Sequence, residues 1–143
     1  MSYAARRPWA PGSRRLSRWA SAAIAPLRRR VVLSVRVVGK AGSRSLNARY
    51  RRKDKATNVL SFAGPGRAPD GRYYLGELVV CAGVVADEAA ALGKSLEAHW
   101  AHMIVHGALH LQGFDHEIAA DAARMAVREI QILDRLGFSD PYC

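Results

Sequence analysis

Three histidines in the stretch HGALHLQGFDH, His106, His110 and His116, constrain this chain more than anything else in it. On a helix, His106 and His110 fall on one face, one turn apart, near enough to grip the same ion. Gly113 sits where a helix can end in left-handed backbone, so the chain can fold back and bring in His116 as a third ligand. Three neutral imidazoles on one side leave the fourth tetrahedral position of a zinc ion open, the pattern of a catalytic rather than a structural site. A water there is activated near neutral pH. The residues alone point to a metal-dependent hydrolase.

His99 and His102 lie upstream on what should be the same helix. At about 1.5 Å per residue the axial rise is about 10 Å from His99 to His106 and about 12 Å from His102 to His110. With bonds of about 2 Å, neither can join a shell that holds both His106 and His110. His102 and His106 also form a one-turn pair, but no glycine turn follows to bring in a third ligand. His99 and His102 are therefore assigned to the helix or to support of the ligands. A zinc peptidase is the first rival reading, since His-x3-His-x5-His with a glycine before the third His also occurs in metzincins. Peptidases with HExxH carry Glu directly after the first His; Gly107 stands there, so peptide hydrolysis lacks its proton acceptor. A second rival is a non-catalytic assembly factor with a structural zinc, which needs a fourth protein donor. Cys81, in an apolar run, is a poor one.

At 143 residues, half of them hydrophobic, the chain suits one domain with a real core. Charge or glycine breaks every apolar stretch before about 18 residues, so no membrane span is expected. Cys81 and Cys143 form neither a disulfide framework nor a CxxC pair. Charge is uneven: residues 1–53 hold 15 of the 22 Lys and Arg and no Asp or Glu. A basic half beside a hydrolytic centre suits a polyanionic substrate, held by charge and counterion release. The Arg-rich, Ser-rich start is also like a transit peptide, but it runs into a strand pattern without a cleavable boundary, which favours a bacterial cytoplasmic protein.

Residues 1–12, with Pro8, Pro11 and Gly12, read as a loose basic leader. A helix is expected from Ser13 to about residue 25, with Leu16, Trp19, Ala20, Ala23 and Ile24 inward and Pro26 as its stop. Residues 31–38 (VVLSVRVV), 58–62 (NVLSF) and 73–81 (YYLGELVVC) read as strands, the last of them central. Ser43 or Ser45 is expected to cap a short helix over 46–50, and residues 63–72, with two prolines and three glycines, to form a flexible loop. Further helices are expected over 84–92, ended by Gly93, over about 96–112 with Ser95 as cap, and over about 118–136 with Ala122, Met125, Ile130, Leu133 and Leu136 inward.

Three segments, SLNARYRRKDKATNVLSF (45–62), LGELVVC (75–81) and LEAHWAHMIVHGALHLQGFDH (96–116), resemble the YbeY family of bacterial rRNA-maturation endoribonucleases. The likeness covers roughly residues 31–142. It implies an α+β fold for 13–143, a single domain with a mixed four-stranded sheet flanked by about five helices, similar in helix and sheet to zincins. It implies one zinc ion per chain held by His106, His110 and His116, with Arg51 and His106 catalytic. The implied activity is single-strand-specific, zinc-dependent RNA cleavage in maturation of the 16S rRNA 3′ end and in late-stage ribosome quality control, with rRNA, the ribosome, and ribosomal or assembly proteins as partners. Arg52 departs from the family, where glycine is common; it either adds a phosphate contact or extends a basic surface. Asp115 would orient an imidazole or serve as a base. Ser61 would contact substrate or bond to backbone, and Tyr73, Tyr74 and Phe62 are candidates to stack on bases.

Overall fold

A computed structural model gives the structure of the chain and describes residues 2–3, 9–24, 30–113 and 119–142. In chain order its elements are β1 (Ser2–Tyr3), α1 (Ser13–Ile24), β2 (Val31–Val38), α2 (Lys40–Arg51), β3 (Val59–Arg67), β4 (Tyr73–Cys81), α3 (Ala82–Leu92), α4 (Leu96–Leu111) and α5 (Ala119–Arg135). They form one α+β domain. The sheet runs β1-β2-β4-β3, parallel at its first two pairings and antiparallel between β3 and β4. Its body is three long strands, the three visible in the sequence pattern, and the expected fourth is reached only by counting the two-residue β1. That strand lies inside the stretch expected to be a loose leader, with Ser2 and Tyr3 in register with Arg36 and Val37.

Strand β4 is central, and its apolar end is buried on both faces. Leu78 and Val80 join Val35 and Val37 beneath Leu16 and Trp19 of α1, Trp100 and Ile104 of α4, and Met125 and Leu133 of α5. Val79 and Cys81 turn the other way, with Val38 and Leu60, toward Leu46 of α2 and Val84 of α3. That alternation is the period of two of an extended chain, and it explains the continuous apolar run of a strand covered on both sides. Helix α4 is apolar nearly all round because α1, α3, α5, β3 and β4 all pack on it. Its first turn is closed as expected, Ser95 Oγ accepting from the Ala98 amide at 3.1 Å.

Three expectations are corrected. Residues 63–67 are not loop: β3 continues through them and pairs with β4 across a bulge between Ala63 and Gly66, leaving a short connection after Arg67. Pro65 is tolerated because β3 is an edge strand, where a missing N–H need not break a ladder. Helix α2 starts at Lys40, after Gly39, with no side-chain cap; Ser43 lies inside it and is buried. On α5 the inward stripe is Met125, Glu129, Ile132 and Leu133, whereas Ile130 is half-buried. The expected stop at Pro26 and the expected helix start at Ile118 lie outside the described residues.

The approach of α4 to the sheet is closest at Gly107. A Cβ there would stand 2.8 Å from Leu78 Cδ2 and 3.4 Å from Val59 Cγ2. Leu78 is fully buried and has little room to yield. Overpacking of this kind costs about 1–3 kcal/mol, against about 1 kcal/mol that alanine gains over glycine in a helix. Gly107→Ala is therefore expected to lower stability by about 1 kcal/mol, measured as a lower urea midpoint at unchanged slope.

Candidate metal centre and basic cleft

Two buried polar residues of α2 shape the chain that follows it. Ser43 Oγ donates to the Thr57 carbonyl and accepts from the Thr57 amide, both at 3.0 Å, and Asn47 Nδ2 donates to the Lys55 carbonyl at 2.9 Å. Buried polar groups need such partners, and here the partners lie in the segment leading to β3. Arg44 holds it from outside by two bonds to Asp54, which keep that carboxyl below its ordinary value. Asn58 Nδ2 donates to both oxygens of Glu88 on α3. The arm so fixed puts Lys53 and Lys55 in the wall of a cleft of about 690 Å³. Arg51, Asn58, Ser61, His106 and His110 also line it.

Arg51 stands at the end of α2, exposed, with its Nη2 donating to the Ser61 carbonyl at 3.1 Å. His106 and His110 are half-buried on α4. Behind His106, fully buried Glu129 of α5 accepts from His106 Nδ1 at 2.7 Å, from His102 Nε2 at 2.6 Å and from the Tyr142 hydroxyl at 2.5 Å. Burial alone would push the Glu129 carboxyl up; hydrogen bonds from His102, His106 and Tyr142, with the charge of His106, outweigh it and hold the pKa at about 2. The Tyr142 phenol is pushed up by burial and by its bond to Glu129. His99, also buried, bonds Glu88 through Nε2 at 2.9 Å and so ties α4 to α3.

His102, His106 and Glu129 form a group that could hold a metal ion, with one ligand atom from each within 4.8 Å of the others. The N···O separations of 2.6 and 2.7 Å are nevertheless those of charge-assisted hydrogen bonds. Two donors sharing a tetrahedral zinc at bonds of about 2 Å would stand about 3.3 Å apart. With Nδ1 bonded to Glu129, His106 is left with Nε2 as its ligating nitrogen. Imidazoles from His106 and His110 at one cleft are a donor set that suits zinc. Gly113 has the positive φ, 102°, that the expected reversal after α4 requires. His116 and Asp115 lie outside the described residues.

Over residues 12–137 the chain matches the profile of the family described as Endoribonuclease YbeY. The chain belongs to the YbeY family. It is 50% identical over 136 residues to an Endoribonuclease YbeY of Halorhodospira halophila (strain DSM 244 / SL1), covering 93% of this chain and 88% of that one. An Endoribonuclease YbeY of Azoarcus sp. (strain BH72) is 48% identical over 137 residues; the match covers 93% of this chain but about half, 53%, of that longer protein. A Thermotoga maritima protein solved in solution has a similar fold, with a TM-score of 0.60 over 98% of this chain and 96% of that one, at 22% identity. The YbeY family match starts at residue 12, so it takes in α1, which the sequence resemblance had left out.

Of the residues singled out from the sequence, the structure brings Arg51, Ser61, His106 and His110 to one cleft, while Tyr73, Tyr74 and Phe62 are not part of its lining. Phe62 packs edge-on against Tyr50 beside the α2 face of the sheet. Sequence reasoning missed Lys53, Lys55, Glu129 and Tyr142. Lys53 carried a signal in the basic block that it ends, and Glu129 one as a charge at an inward position between Met125 and Leu133. Arg52 caps α2 in the left-handed region, φ 57° and ψ 31°. Glycine takes that conformation without the penalty of about 1 kcal/mol paid by other residues. Arg52→Gly is expected to raise stability by up to about 1 kcal/mol, read as a higher melting temperature. Because the Glu129 pKa lies below its ordinary 4.5, the stability it contributes is present above pH 4.5 and lost as pH falls toward 2. The urea midpoint of the metal-free protein should drop across that window, and more steeply than that of Glu129→Gln.

Proposed function

We propose that the chain is a zinc-dependent, single-strand-specific endoribonuclease, acting in the cytoplasm on the 3′ end of 16S rRNA and in late-stage ribosome quality control. The observation that carries this reading is the shared cleft, in which half-buried His106 and His110 face the same space as Arg51, Lys53 and Lys55. Family membership supports it, since both relatives above are named endoribonucleases. One zinc ion per chain would be held by His106, His110 and His116, and when bound it supplies Lewis acidity toward a phosphoryl oxygen. The remaining steps fall to the chain itself. Arg51 exchanges the Ser61 carbonyl for phosphate, where its planar fork can engage two oxygens and neutralise charge as phosphorus becomes pentacoordinate. Lys53 and Lys55 hold the neighbouring phosphates by charge. An unpaired strand can bend its backbone into line with these three cations, whereas a duplex holds its phosphates on a fixed path. Ribosomal or assembly proteins would present the substrate.

Gly107 bears on the peptidase rival: a Glu at that position would already bring its Cβ to 2.8 Å from Leu78 Cδ2. A structural zinc completed by Cys81 is disfavoured as well, since that thiol is buried among Val38, Leu60 and Val79 and is not part of the cleft's lining. Among the described residues no helix is long and apolar enough to cross a membrane. Arg51→Ala is expected to slow cleavage of single-stranded RNA by about 10²–10³, the scale of losing one preorganised charge-stabilising donor, with zinc content unchanged. His110→Ala should lose both zinc and cleavage. Unchanged turnover in Arg51→Ala removes that residue from the mechanism, and digestion of unstructured protein but not RNA by the zinc-loaded chain overturns the nuclease reading.

A further inference from the structure

Glu129 is the one fully buried acid among the described residues, and no Lys or Arg pairs with it there. Leaving an ionised carboxylate in such a place is costly unless every approach to it ends in a donor. Three donors converge on it, from His102 and His106 one turn apart on α4 and from Tyr142 beyond α5. The Tyr142 ring also stands edge-on to His102, 5.4 Å between centroids. The segment that carries it is held by Lys94, which donates to the Pro141 carbonyl, and by Phe138 packed edge-on against Trp19. His102 Nδ1 is buried with no hydrogen-bond partner among the described residues. With its Nε2 on Glu129, His102 supports the carboxylate rather than an ion.

We infer that Glu129 is the positioning residue of the metal centre, with His102 and Tyr142 as the groups that hold it in place. A neutral imidazole carries its proton on either nitrogen. By accepting at His106 Nδ1, Glu129 selects the tautomer that bears its lone pair on Nε2, raises the basicity of that nitrogen and sets the plane of the ring at the cleft. The inference rests on His106 being a ligand, as proposed above, and it assigns Glu129 a role through His106 rather than on the ion.

The test uses the full chain with Glu129→Gln, which keeps the shape of the side chain but turns one acceptor oxygen into an NH2 donor. In the metal-free wild type, two-bond proton–nitrogen correlation spectra are expected to show His106 protonated at Nδ1; in Glu129→Gln the second tautomer should become populated. Zinc affinity, measured by competition with a chromophoric chelator, should fall about 10–100-fold, while saturating zinc still loads one ion per chain. A residue needed only for folding would lower stability without moving the tautomer. If Glu129→Gln does not fold, Tyr142→Phe takes its place, with a smaller loss of affinity in the same direction. An unchanged tautomer and affinity in the folded variant overturns the inference. So does X-ray absorption of the zinc-loaded wild type showing a carboxylate oxygen on the metal that Glu129→Gln lacks. His106→Ala is the control: if it binds zinc as tightly as the wild type, the metal-site reading itself fails, whatever the tautomer measured in the metal-free protein.

Discussion

The closeness of α4 to the sheet is the constraint on which the rest depends. Because Gly107 has no side chain, the helix settles against Leu78 of β4 and Val59 of β3, and its neighbours in sequence are carried with it. His106, one residue before, and His110, three after, are thereby brought to the rim beside the edge strand, where a cleft can form. A bulkier residue would lift the helix and move both imidazoles away from Arg51. The glycine that excludes a peptidase-type glutamate is thus the same one that sets the depth of the site.

Around that contact, polar side chains, several of them buried, serve as fasteners rather than as core. Ser43 and Asn47 tie the segment after α2, Glu88 gathers Asn58 and His99, and Glu129 gathers His102, His106 and Tyr142. Each hydrogen bond adds only about 1 kcal/mol net, but leaving a buried group such as Ser43, Asn47 or Glu129 without its partner would cost more. The arrangement therefore resists partial loosening. Rigidity follows from the cost of a missing partner more than from the strength of any one bond.

Much of the fold could be read from local pattern. The Ser95 cap, the β-branched run of β2, the two-sided apolar end of β4 and the stop at Gly93 are local matters, decided within a few residues. What failed to show depends on partners far along the chain. Pro65 and its flanking glycines read as a loop until β4 supplies a register for them. Ser43 reads as a helix cap until Thr57 supplies the other end of its bonds. Of the candidate site, His106, His110 and Arg51 were legible from spacing and family likeness, and the structure puts all three at one cleft. Glu129 was missed because a carboxylate in an apolar stripe gains meaning only when α4 is laid beside it.

The rim of β3 carries a last consequence. An edge strand is where an extended polypeptide is ordinarily captured, by adding itself to the sheet through main-chain hydrogen bonds. Along β3 the Ser61 carbonyl already accepts from Arg51, and Pro65 has no amide to offer. A guest polypeptide would have to displace Arg51 from the Ser61 carbonyl, and Pro65 has no amide to give it. A nucleic acid strand, which binds by its phosphates and has no amide ladder to match, loses nothing by these gaps, so the border of the sheet favours one class of polymer over the other before any bond is broken.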